Sequence, residues 1–166
     1  LGGFGIYEQE NITFKNMTVT NTSNNGYGIF ISNAKVELFD VALKGCESCG
    51  LFVPHTTSLT TTVVANRCQF ANSRNGAFVR GSLTSATFKN CVFHDNDEDG
   101  IYGSEFATVH LHGEATAIHS NEDEGISAFD NCKVIIHLPS HHNTTYNNRG
   151  DDRFTIRGGT ITNVED

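Results

Sequence analysis

Acidic residues crowd two stretches at nearly the same phase, Asp95-Asn-Asp97-Glu98-Asp99-Gly100 and Asn121-Glu122-Asp123-Glu124-Gly125. Clustered carboxylates offer hard oxygen ligands, so Asp97, Asp99, Glu122 and Asp123 are calcium candidates, and calcium is the cofactor to consider. Asp, Asn and Gly are also what turns require, and neither the EF-hand spacing nor the calcium-binding nonapeptide is present. His110, His112 and His137 carry the ligand type for zinc or copper, without an evident fourth ligand. Cys46 and Cys49 form a lone CxxC, readable as a disulfide, a redox pair or half a zinc site that no second CxxC completes. The segment SHHNTTYNNRGDDR at 140 to 153 gathers His141, His142, Asp151, Asp152 and Arg153, groups suited to acid–base work in a polar loop.

Such groups act only if a scaffold brings them together, and the scaffold is periodic. Glycine, an aliphatic residue and an aromatic recur at Gly5-Ile6-Tyr7, Gly28-Ile29-Phe30, Gly50-Leu51-Phe52, Gly76-Ala77-Phe78 and Gly100-Ile101-Tyr102, with Gly125-Ile126-Ser127 as a sixth copy. A small polar residue or cysteine precedes five of these glycines by four positions: Asn24, Cys46, Asn72, Asn96 and Asn121. Two further strand-like elements fill each interval, among them Ile12-Thr-Phe14, Val36-Glu-Leu38, Thr62-Val-Val64, Ala86-Thr-Phe88, Val109-His-Leu111, Val134-Ile-Ile136 and Phe154-Thr-Ile156. Three short strands per roughly 24 residues, with corners of Gly and Asn, predict an all-β, right-handed parallel β-helix of about seven coils. Equivalent residues then stack, giving an internal ladder of Phe14, Leu38, Val64, Phe88, Leu111, Ile136 and Ile156, with Cys68 and Cys91 buried in another. No segment carries a helical apolar stripe, and in-phase glycines argue against antiparallel hairpins.

Strand alternation then assigns the outward residues. If Ile29 and Ile31, Leu51 and Val53, and Ala77 and Val79 face inward, Tyr7, Phe30, Phe52, Phe78 and Tyr102 form an outward aromatic column. An apolar stripe of that kind on a solvent face marks a partner, and aromatic faces stack on sugar rings. A second outward column reads Lys15, Phe39, Ala65, Lys89, His112, His137 and Arg157, several of them cationic.

The chain has 166 residues, a formal net charge of −8 and no basic cluster, which disfavours nucleic acid as a partner. No run of 18 apolar residues is present, so membrane insertion is not expected. The length suits one domain over residues 1 to 166, read as a fragment of a longer chain because it starts without Met at LGGFG. Five cysteines, an odd number, do not suggest a complete disulfide framework.

The Gly-Ile-Phe repeat, the Cys-x-Phe strand and the Asn corner resemble right-handed parallel β-helix proteins of the pectin-lyase-like superfamily. IIHLPSHHNTTYNN and GGTITNVED are similar to segments of β-helix proteins from marine microalgae and other protists. The superfamily resemblance implies a polysaccharide lying along the helix and calcium between acids and substrate carboxylates. It does not extend to a complete catalytic set. Asp151-Asp152 resembles one acidic motif of polygalacturonase-like enzymes whose other motifs are missing. CGLFVPHT at 49 to 56 is similar to an epimerase segment, with Val53 where that family has an acid. The expected function is a non-catalytic module binding glycan or another protein chain along the aromatic column, or a rigid structural segment. The alternatives are a lyase, epimerase or hydrolase of uronate polysaccharide, and a repeat adaptor in a larger complex. An extracellular or cell-surface setting is favoured over an intracellular one.

Overall fold

Short runs of β-branched and aromatic residues, each ended by Asn, Asp or Gly, make a chain that turns corners and stacks on itself. The computed structural model describes residues 3–137 and 144–165, and none of these is helical. A seven-stranded parallel sheet is formed by Phe4–Tyr7, Ile29–Ser32, Cys49–Val53, Asn75–Arg80, Ile101–Ser104, Ile126–Ala128 and Arg153–Thr155. The other strands form an eleven-stranded parallel sheet creased along its length. The long strand Lys35–Lys44 shows the crease, since its first half pairs with Thr61–Asn66 and its second half with Gln69–Ala71. The molecule therefore has three faces, each one strand long per coil.

The crease is made by a column of left-handed residues: Asn16, Asp40, Arg67, Asn90 and Gly113. Left-handed backbone costs ordinary L-residues about 1 kcal/mol or more, which explains the Asn, Asp and Gly. At Arg67 the guanidinium makes a bidentate pair with Asp40 one coil away, Nε to Oδ1 at 2.8 Å and Nη2 to Oδ2 at 2.6 Å. A second left-handed column, Gly45, Asn72, Asp95, Ser120 and Asn147, turns the chain off the third face.

The in-phase glycines have a different cause. None of Gly28, Gly50, Gly76, Gly100 and Gly125 has the left-handed backbone of a turn. A Cβ at each would lie 2.5 to 2.8 Å from a carbonyl oxygen of the next coil. Close stacking, rather than a turn conformation, excludes side chains there.

Interior positions follow the predicted alternation over most of the length. Ile29, Ile31, Leu51, Val53, Ala77, Val79, Ile101 and Ile126 are fully buried on the first face. Phe70, Phe88 and Phe93 fill the centre, with Phe70 and Phe93 stacked at 4.5 Å and Phe88 edge-on to both. Two positions of the predicted ladder are corrected. Ala65, not Val64, pairs with both Leu38 and Phe88, so the inward residues of that strand are Val63 and Ala65. Ile156 is exposed, and Ile136 pairs instead with Asn163. The first is a shift of one residue, which apolar alternation leaves open in a short Thr/Val strand; the second arises because Arg153–Thr155 belongs to the first face, so the ladder position falls to the next strand, Thr160–Val164.

A polar ladder runs up the inside of the corner between the third and first faces. Asn96 Nδ2 donates to the Phe70 carbonyl and to Asn121 Oδ1, and Asn121 Nδ2 donates to Asn148 Oδ1 at 2.8 Å. Asn148 Nδ2 in turn donates to Asp152 Oδ1. Ser73 and Cys46 continue the column, the Ser73 hydroxyl accepting the Cys46 N–H. Ser73 thus occupies the ladder position expected of Asn72, and Asn72 sits at the left-handed corner.

Candidate functional site

On the outside of the first face, the residue between each inward pair points to solvent. Phe30, Phe52, Phe78 and Tyr102 stand in consecutive register. Neighbouring rings lie 5.5, 5.2 and 4.6 Å apart, tilted or edge-on. Tyr27 stacks on Phe52 at 4.7 Å and widens the stripe. Tyr7 is shifted: Gly5, not Tyr7, pairs with Phe30, and Tyr7 reaches Phe30 from two residues along, with centroids 5.3 Å apart. Tyr7 is also the open end of the column, 57% exposed, whereas Phe30 to Tyr102 are half-buried against one another.

The stripe extends further than the repeat motif indicates. Ser127 takes the sixth position, but Phe129 fills the gap, stacked on Tyr102 at 5.0 Å and 5.7 Å from Phe154. Phe154 pairs in register with Ser127. The sequence does not announce these two, because Phe154-Thr-Ile156 reads as an equivalent of Ile12-Thr-Phe14 in the other sheet and Phe129 lies outside the Gly-x-aromatic triplet. Seven strands about 4.8 Å apart make the face on the order of 29 Å long.

A charged cluster borders the stripe at its middle. Arg80 Nη2 is ion-paired with Glu105, whose other oxygen lies 3.1 Å from His55 Nδ1. The Arg80 guanidinium is also 5.9 Å from the Phe78 ring centre, within cation–π range. Hydrogen bonding to Arg80 holds the Glu105 carboxyl below its usual range, so it is ionised at neutral pH. Three coils contribute to this cluster, and no sequence spacing announces it.

A family model described as the right-handed β-helix region matches residues 2–165. The chain belongs to the right-handed β-helix family. Neither the curated proteins nor the solved structures compared with it gave a match. Family and architecture agree, and neither carries an activity with it.

Elsewhere on this β-helix, the acidic corners do not converge. Asp99 is turned inward and buried, its Oδ1 accepting the Glu124 N–H at 3.1 Å. Burial, then the hydrogen bond to the Glu124 side chain, pushes its pKa up to about 8. Glu122 is exposed and paired with Arg149 at 3.0 Å. Among the described residues, Asp97, Asp99, Glu122 and Asp123 form no group of three that encloses a cation, whereas His110, His112 and His137 do come together.

The loop candidates separate as well. Asp152 ends the asparagine ladder, and Arg153 stands in register with buried Ile126, its Nε donating to the Thr145 hydroxyl at 3.2 Å. Asp151 lends its carbonyl to Gly125 and is exposed. His141 and His142 lie outside the described residues. All five cysteines are buried free thiols, Cys46 and Cys49 included. Burial pushes Cys49 up to about 11 and Cys132 to about 12, which suits packing and not nucleophilic or redox chemistry. The second outward column reads Lys15, Phe39, Asn66, Lys89 and His112; Asn66 replaces Ala65, which faces inward, and Val164, not Arg157, follows His137.

Proposed function

We propose that this β-helix is a non-catalytic binding module that docks a glycan chain along the aromatic column of its first face. The supporting observation is the column's continuity: Phe30, Phe52, Phe78, Tyr102, Phe129 and Phe154 present ring surface on successive coils without a break. A linear polymer of flat, amphipathic rings matches such a track, because each sugar can bury its apolar face while its hydroxyls stay in water. The Arg80–Glu105–His55 cluster supplies hydrogen-bonding groups at one edge, the role polar groups take in otherwise apolar sites. A net charge of −8 repels polyanions, so a neutral glycan is favoured over an acidic one.

The test is affinity electrophoresis or calorimetry against neutral and acidic polysaccharides, comparing the wild type with Phe52→Ala and Phe78→Ala. Each variant is expected to lose about tenfold or more in affinity, as central aromatic anchors do, while keeping the circular dichroism of the native β-helix. Full retention of glycan affinity in both variants would overturn the proposal. Binding of a protein chain to the same column, with no glycan binding, would reassign the face to a protein partner.

One observation favours a second reading, an enzyme acting on uronate polysaccharide. Glu105, Arg80 and His55 place an ionised acid, a cation for a substrate carboxylate and an imidazole at one point beside the track. Activity on alginate or pectate that disappears in Glu105→Gln would establish it, and blank assays with and without calcium would end it.

A further inference from the structure

We infer that His110, His112 and His137, on the outer side of the second face, form a binding site for a late first-row divalent cation such as Zn²⁺. His110 and His112 are two residues apart on the strand Thr108–His112, so both project from the same side of the sheet. The strand Lys133–His137 runs beside it in parallel register, Leu111 opposite Ile136, which puts His137 next to His112 and diagonal to His110. The ring centroids of His112 and His137 are 3.8 Å apart, and those of His110 and His137 are 5.3 Å apart. One nitrogen from each of the three imidazoles lies within 4.8 Å of the others, and His110 Nδ1 is 3.0 Å from His137 Nε2.

Two features make this more than a solvated face. Imidazole is the ligand of choice for Zn²⁺ and Cu²⁺, and three imidazoles with solvent in the remaining position is a recognised coordination set. Metal–nitrogen bonds of about 2.1 Å in a tetrahedron separate the nitrogens by about 3.4 Å, so the widest pair closes by roughly an ångström through ring rotation on a fixed sheet. Against these stands Lys89, next to His112 in the column, whose charge opposes a cation. The site lies on a different face from the aromatic column and does not depend on the glycan reading.

The experiment is competition of the full chain with a chromophoric chelator for Zn²⁺ at neutral pH, alongside His112→Ala, His137→Ala and the control His119→Ala. His119 is also an outward imidazole, stacked on His94 at 5.4 Å, but no third histidine joins that pair among the described residues. The wild type and His119→Ala are expected to bind one Zn²⁺ per chain. Loss of an outer-shell partner already costs about 10- to 100-fold in affinity, so loss of a ligand is expected to cost at least about 100-fold. Cu²⁺ bound by the wild type should show nitrogen hyperfine structure in its electron paramagnetic resonance spectrum, and this should be reduced in His137→Ala. Equal Zn²⁺ affinity in wild type, His112→Ala and His137→Ala, or no binding tighter than millimolar in any of them, would overturn the assignment.

Discussion

Asp99 is 6% exposed and shares a hydrogen bond with the Glu124 side chain, so ionising it puts a second negative charge into a buried corner. Its pKa stands at about 8 in the fold against 3.8 for an ordinary aspartate carboxyl. Between those values the folded chain keeps a proton that the unfolded chain has released. The stability Asp99 contributes is therefore complete below about pH 4 and is lost as pH rises toward 8. Asn75, at the same position one coil earlier, shows the uncharged solution: its Nδ2 donates to Glu98 and its Oδ1 accepts the Asp99 N–H. Asp99→Asn is expected to melt close to the wild type at pH 4 and several degrees above it beyond pH 8. Thermal melts across that range check this, and an advantage that does not grow with pH would refute the buried, protonated state. The sequence shows Asp99 only as one of many corner acids, because nothing local says which of them the next coil will cover.

At the scale of elements, two kinds of glycine should respond differently. Gly76 has ordinary backbone but no room, since a Cβ would lie 2.5 Å from the Gly100 carbonyl oxygen and 3.0 Å from Phe93. Gly45 has a left-handed φ of 61° but open space, its nearest neighbour being Thr20 at 3.6 Å. Gly76→Ala is expected to cost about 1 to 3 kcal/mol as an overpacking change. Gly45→Asn should cost only a few tenths of a kcal/mol, because Asn tolerates the left-handed region and Asn72 occupies the equivalent corner. Denaturant unfolding measures both, and a reversed order would contradict this division of roles. Phe93, fully buried between Phe70 and Phe88, is the element-scale anchor, and Phe93→Ala is expected to cost about 3 to 5 kcal/mol. The glycine period was legible from the sequence, but its cause was not, since a turn and a tight stack both select glycine.

For the whole molecule, each coil touches only its neighbours, so stability is a sum of coil and interface contributions. The strand Phe4–Tyr7 pairs on one side only, and the residues packed there, Ile6, Ile12, Phe14 and Met17, are only partly buried. Ile161 at the other end is likewise partly covered. Amide hydrogen exchange should therefore be slowest in the central strands from Leu51 to Ile126 and fastest in the first and last described coils. Uniform protection along the chain would show that the ends are as stable as the middle. The repeat by itself determined the parallel β-helix, its three faces and the outward column from Phe30 to Tyr102, because stacking identical coils requires the same residue class at the same phase. Only the tertiary structure decided the register of the end coils, the inward turn of Asp99, and the meeting of Arg80, Glu105 and His55. These depend on corner lengths and on which side chains from different coils share a neighbour, and no single stretch of sequence carries that information.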